Sequence, residues 1–174
     1  MTVQDDTRLL APTRSGIELE VRAANAADEP LLEAFFDKVS PEDRRFRFFE
    51  AREHIGHRQL MPLVEVDHFR SESFLAFDRA TGELVASALL ACDNPLDKAE
   101  IAVSIRSDYK GMGVGWAMLD LLGQEAERRG VREVIAIEDR DNHAAIELER
   151  EKGFVPRGFD GDPHLVVLSK TFGN

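Results

Sequence analysis

The 174 residues predict an α/β fold with a mixed central sheet, mostly antiparallel, flanked by helices and turning parallel at one strand pair. Three observations carry that reading. Ile17, Leu19 and Val21 alternate with Glu18, Glu20 and Arg22, the period of a strand with one wet face. Three further apolar runs, from Phe74 to Phe77, Leu84 to Cys92 and Ala99 to Ile105, are separated only by turn residues. Beyond them the glycine-rich run Tyr109 to Trp116 joins a strand to an amphipathic helix, and Val131 to Ile137 reads as the next buried strand.

The elements follow in order. After the first strand, Leu31, Leu32, Phe35, Phe36 and Val39 recur at helical spacing behind the cap residues Asn25 and Asp28, and Ser40-Pro41-Glu42 opens a second helix. Phenylalanines between 46 and 49 are expected to anchor a core while the interleaved arginines stay in solvent, a reading preferred to a nucleic-acid surface. Gly56 and Pro62 interrupt any period between 56 and 69, so this stretch is read as a loop on the substrate side. Thr81-Gly82 closes a hairpin, and Asn94-Pro95 turns the chain into the strand that leads to the glycines. Trp116, Met118, Leu119, Leu122 and Ala126 form the apolar face of the helix that starts near Gly115, with Gly130 at its C-terminal end. A strand-helix-strand unit of this kind returns parallel and right-handed. A helix from Asn142 to Lys152 and a strand from Leu165 to Leu168 complete the chain.

Composition narrows the class. With 43% apolar and 32% charged residues the chain is an ordinary globular one, long enough for one domain that buries about 70% of its unfolded surface. The domain is expected to span residues 1–174, with its core at about 16–172 and residues 1–15 as an N-terminal extension. The longest apolar run, Leu84 to Cys92, falls short of the roughly 20 residues of a membrane helix. No secretory signal is readable near Met1, so a cytoplasmic location and no membrane partner are expected. The single cysteine, Cys92, reads as a small buried residue rather than a nucleophile. A net charge of −11 argues against nucleic acid as the main partner and agrees with a cationic substrate. Glu53-His54-Ile55-Gly56-His57 does not match a zinc helix, and no metal is expected; His54, His57 and His68 read as surface or packing residues.

The glycines specify a chemistry. Gly111, Gly113 and Gly115 let successive backbone N–H groups converge on one hollow, and the helix that follows adds the positive end of its dipole. Phosphate oxygens fit such a hollow, with Lys110 beside it. A dinucleotide fingerprint is excluded because its third glycine falls on Trp116 or Met118, and no glycine is followed by Lys and a hydroxyl residue as ATP-hydrolysing loops require.

Lys110-Gly111-Met112-Gly113-Val114-Gly115 resembles the Arg/Gln-x-x-Gly-x-Gly/Ala loop of the GNAT superfamily of N-acetyltransferases, with lysine in the first place. Asn142, Ala145, Ile146, Leu148, Gly153 and Phe154 fit a second segment of that family, Asn-x-x-Ala-Ile-x-Leu-Tyr-x-x-x-Gly-Phe, at the right distance downstream. The likeness implies a GNAT-like sheet and a loop, Lys110 to Trp116, that grips the pyrophosphate of acetyl-CoA as co-substrate. It also implies that Ile101 to Ile105 serve the pantetheine arm and acetyl group, with the N–H of Val103 polarising the carbonyl, Ile105 contributing, and Asn142 bonding the arm as well as capping its helix. Ser40 to Phe49 and Ala99 to Val103 resemble the acetyltransferase domain of bacterial protein lysine acetyltransferases. Many of those carry a fused ligase-like or cyclic-nucleotide-binding domain, and no fused sensor is expected here.

The family's usual acid, a tyrosine, falls on Glu149, and Tyr109 is poorly placed to replace it; water is expected to protonate the leaving thiolate. A lysine-like amine of pKa about 10.4 is uncharged only once in roughly 2,500 molecules at pH 7, so transfer needs a base. Glu100 is the candidate, with Asp97 and Glu138 able to substitute or share the role. The expected activity is acetyl transfer to a primary amine by direct attack in a ternary complex. A protein lysine, a polyamine, an amino acid or an antibiotic are all open as acceptors, as is a non-catalytic acyl-CoA sensor, and the protein is expected as a monomer or homodimer.

Overall fold

The computed structural model describes residues 9–50, 53–159 and 161–172. Eight strands form one sheet in the order β1 (Leu9–Pro12), β2 (Glu18–Ala23), β3 (Ser71–Asp78), β4 (Leu84–Cys92), β5 (Lys98–Ile105), β6 (Glu133–Asp139), β8 (Leu165–Thr171), β7 (Val155–Gly158). Every neighbouring pair is antiparallel except β5 and β6. The helices are α1 (Glu29–Phe36), α2 (Pro41–Phe48), α3 (His57–Val64), α4 (Val114–Arg128) and α5 (His143–Glu151). Among the described residues no helix is long and apolar enough to cross a membrane.

Alternation along the central strands builds a core on each face of the sheet. Phe74 and Ala76 of β3 join the core under α4, with Leu90, Met118, Leu122, Val134 and Leu168. Leu75, between them, joins the other core, with Phe36, Leu60 and Leu63 of α1 and α3. The parallel pairing of β5 and β6 is brief: it runs from Lys98 opposite Glu133 to Glu100 opposite Ile135 and stops. Beyond it β5 keeps β4 as its partner through Ile105, while β6 continues against β8. The sheet therefore splits at Glu100, and the glycine turn and α4 lie at the end of that split.

Local chemistry fixes the helix ends. Ser40 caps α2 by accepting the Asp43 N–H at 3.1 Å, with Pro41 in the first turn. Asn25 Oδ1 accepts the Ala27 N–H while Asp28 accepts the Asn25 N–H, each at 2.9 Å, and Arg22 grips Asp28 through both guanidinium nitrogens. Gly130 follows the last turn of α4 at φ +82°.

Four expectations change. The stretch from 56 to 69 is not an open loop, because α3 occupies residues 57–64 and buries Leu60, Leu63 and Val64. Pro62 removes one helical hydrogen bond there, and three buried apolar side chains outweigh that loss. Arg47 does not stay in solvent, being half-buried on a cavity wall, and neither does its neighbour Arg44, which is buried and donates to the carbonyls of Phe36 and Val39 at 3.1 and 2.7 Å, closing the end of α1. Of the phenylalanines, Phe46 is buried but Phe49 is half exposed, in a left-handed conformation at φ 57° that ends α2. Finally, Leu9–Pro12, in the expected extension, is an edge strand paired with β2.

Candidate active site

A cavity of about 360 Å³ occupies the split. Its floor is Ile101 to Ile105 of β5, whose β6-facing side has no strand partner. The glycine turn closes one end with Lys110, Gly111, Gly113, Gly115 and Trp116. Asn142, Leu148 and Glu149 of α5, together with Glu138 of β6, form the facing wall, and Asp43, Phe46 and Arg47 of α2 roof it.

The glycine turn is built as its sequence requires. Gly111 and Gly113 adopt φ +77° and +82°, which L side chains rarely take. Gly113 is the residue before α4, whose first N–H groups have no intrahelical acceptor and, with the helix dipole behind them, suit an anion. Gly115 serves packing: a Cβ there would lie 2.8 Å from Leu148 Cδ2 and 3.1 Å from Ile105 Cδ1. The side chains of Met112 and Val114 do not line the cavity, since Met112 is exposed and Val114 is in the core; only their backbone is available to a ligand. The β1–β2 turn braces this end, with the Ser15 hydroxyl donating to the Met112 carbonyl at 2.6 Å. Arg14, from the same turn, lines the cavity and lies 3.4 Å over the Trp116 ring, with Lys152 Nζ 3.6 Å from that ring. Lys110 lines the cavity, but its ammonium is already paired with Asp43 at 3.1 Å.

The other end collects carboxyl groups. Glu100 is exposed at the mouth of the split, and its charge and that of Glu138 both act on Arg47. Burial lowers the proton affinity of the Arg47 guanidinium, and those two carboxylates oppose the shift. Glu138 and Glu149 both line the facing wall, and burial raises the pKa of both carboxyls. Glu149 is pushed up to about 10, first by burial and then by Glu138. It is 6% exposed, and its buried Oε1 has no hydrogen-bond partner. Asn142 uses both ends of its amide: Oδ1 accepts the Ala145 N–H at 3.4 Å and caps α5, and Nδ2 donates to Glu138 Oε2 at 3.3 Å. Val103 and Ile105 line the floor as expected.

Three residues weighed for catalysis sit elsewhere. Asp97 is held by Arg132 at 2.5 Å, outside the cavity wall, and that guanidinium keeps its carboxyl low. Tyr109 donates its hydroxyl to Asp78 on β3 at 2.6 Å, which raises its pKa and turns it from the cavity. Burial raises the thiol pKa of Cys92, which makes it a poorer nucleophile. The histidines pair with carboxylates of their surroundings: His54 with Glu33 and Asp37, His57 with Glu29, His68 with Glu72. Conversely, sequence reasoning did not place Arg14, Asp43 or Arg47 at the site. A run of aromatic and basic residues on α2 was the only local signal for the last.

Comparison with known proteins agrees with this architecture. The model of the acetyltransferase (GNAT) family matches residues 32–154, and the chain belongs to that family. It is therefore an acyl-CoA-dependent N-acetyltransferase. An acetyltransferase of Pseudomonas aeruginosa is 27% identical over 156 residues, 87% of this chain and 83% of the relative. The GNAT domain of S. lividans PAT superposes with a TM-score of 0.86 at 22% identity, over 95% of this chain and 97% of that one. Spermidine N-acetyltransferase from Vibrio cholerae, in complex with CoA and spermine, superposes with a TM-score of 0.68 at 17% identity, over 87% and 92%.

Proposed function

We propose that this protein transfers the acetyl group of acetyl-CoA to a primary amine by direct attack in a ternary complex, with Glu100 as the base. One observation carries the proposal: the split of β5 from β6 presents strand backbone along a cavity that has a glycine anion cradle at one end and Glu100 at the other. The residues fit acetyl-CoA, because left-handed glycines leave the cradle free of side chains and the cavity floor offers unpaired backbone to an extended arm. Gly111 to Gly115 hold the pyrophosphate with backbone N–H groups, Trp116 and Arg14 flank that end, and Val103 directs its N–H at the carbonyl. Glu100 takes a proton from the incoming ammonium so that a neutral amine attacks.

For the acceptor, a protein lysine is supported by the likeness of Ser40 to Phe49 and Ala99 to Val103 to protein-acetylating relatives. A small polyamine is the second reading, favoured by the fold shared with the spermidine enzyme and by the net charge of −11. Titration with acetyl-CoA, followed by Trp116 fluorescence and calorimetry, tests the cofactor. A saturable change is expected, and an acceptor screen over folded proteins, peptides and polyamines then separates the two readings. No binding at millimolar ligand refutes the proposal.

A further inference from the structure

The cations around the cavity are not alike. Lys110 is paired with Asp43 at 3.1 Å, Arg45 reaches Asp139 at 3.8 Å, and Arg44 is taken up by the carbonyls of Phe36 and Val39. Arg14 lies over the Trp116 ring at the cradle end. Arg47 differs from all of these. It lines the cavity half-buried, and among the described residues its guanidinium has no ion pair and no hydrogen bond, resting only 5.2 Å from the ring of Phe48. A guanidinium carries five N–H donors and keeps its charge at neutral pH, so one held in this way is poorly served by water and well served by an anion that enters the cavity.

The surroundings select the anion. The phosphates of CoA belong to the glycine cradle at the other end, and an acetyl group is uncharged, so an anion that reaches Arg47 arrives with the acceptor. The wall carboxyls leave room for it: burial raises the pKa of Glu138, and Glu149, pushed up to about 10, carries no charge near neutral pH. We propose that Arg47 recognises the acceptor by binding a carboxylate that lies close to the reacting amine. This rests on the acetyl-transfer reading above and sharpens its acceptor. The ammonium of such an acceptor meets Glu100 while its carboxylate meets Arg47, and each charge finds its opposite. Phe46 and Phe49 of the same roof offer apolar surface to the carbon chain that joins the two groups. The carboxylate belongs to a free amino acid or to an acidic neighbour of a lysine in a protein. A polyamine lacks it and brings only positive charge to Arg47.

Matched acceptors test this, because a ratio of rates measured with one protein does not depend on how much of that protein is folded. The panel sets each amino acid against its amide and a lysine peptide flanked by aspartate against the same peptide flanked by asparagine, and adds spermidine. The wild-type protein is expected to favour the carboxylate member of one of these sets by about tenfold or more in kcat/KM, mostly through KM. The set that shows the preference tells whether the carboxylate comes from a free amino acid or from a peptide. Arg47→Gln is expected to bring the ratio to within about twofold of unity while acetyl-CoA affinity, measured by calorimetry, is kept. Should that variant fold poorly, Arg47→Lys retains the charge without the fork and is expected to show a reduced preference of the same sign. Equal rates on acid and amide throughout, spermidine as the best acceptor, or a preference that survives Arg47→Gln overturns the proposal while acetyl transfer stands. A loss of acetyl-CoA affinity in Arg47→Gln, or an Arg47-dependent preference for succinyl-CoA over acetyl-CoA, overturns it as well, since the anion then belongs to the cofactor or to the acyl group. A wild-type protein that binds acetyl-CoA and acetylates neither the panel nor folded proteins overturns both readings.

Discussion

The two ends of the cavity are made differently. The cradle is backbone: five consecutive residues, two of them in a conformation that favours glycine, followed by a helix start. The carboxyl end is side chains drawn from β5, β6, α2 and α5, which line one cavity where the sheet splits after Glu100. A backbone site tolerates changes of charge and fails on changes of shape. A side-chain site does the reverse, and substitutions that alter one property at a time can separate the two.

The largest effect is expected from shape. Gly113→Val places a β-branched side chain at φ +82°, with its Cβ 3.2 Å from the Arg14 nitrogen. The left-handed conformation costs about 1–2 kcal/mol before any clash. Calorimetry is expected to show acetyl-CoA binding abolished, with a lowered melting temperature; wild-type affinity in a folded variant would refute the cradle. Next comes charge at the other end. Glu100→Gln keeps the shape and is expected to lower kcat by about 100-fold or more while leaving acetyl-CoA affinity unchanged. A loss of affinity equal to the loss of rate would make Glu100 a binding residue instead.

Stability against pH sharpens the contrast further. Glu149 ionises at an ordinary carboxyl pKa in the unfolded chain and near 10 in the fold, so between those values the folded state binds the extra proton. Its contribution is therefore full at low pH and is lost progressively as pH rises toward the folded value. Glu149→Gln carries no such proton. Its stability relative to wild type is expected to improve from pH 5 to pH 9, measured as the difference in urea midpoints. A difference independent of pH would mean that Glu149 is ionised in the fold. No comparable dependence is expected from Gly113→Val.

The same contrast explains what the sequence shows. Gly111, Gly113 and Gly115 lie in one local run whose backbone geometry follows from residue type, and α4 follows from a 3.6-residue period. Glu100 was also readable, because its strand leads directly to that run. That Glu138, Glu149 and Arg47 line one cavity was not, since no local pattern records which side chains meet across three elements. Asp97, three residues before Glu100, reads in the sequence as able to substitute for it or share its role. The parallel register that sets Lys98 opposite Glu133 brings Arg132 beside Asp97, which pairs with it outside the cavity wall. The helix at 57–64 was hidden by Gly56 and Pro62, because burial of Leu60, Leu63 and Val64 against α1 is a tertiary effect. The strand at 155–158 contains Pro156, has no alternation, and exists only as an edge pairing with β8.

The smallest effect concerns Lys110, which ties the glycine turn to α2. Its ammonium lies 3.1 Å from Asp43, and both side chains are part exposed, so the pair is worth at most about 1 kcal/mol. A phosphate arriving at the cradle must compete with Asp43 for that charge. Asp43→Asn is therefore expected to tighten acetyl-CoA binding by about two- to fivefold at low salt, and Lys110→Ala to weaken it by a similar factor. Both differences should shrink as ionic strength rises, because exposed charges are screened. If Asp43→Asn instead weakens binding, the pair holds Lys110 in place for the phosphate, and α2 belongs to the cradle as well as to the carboxyl end.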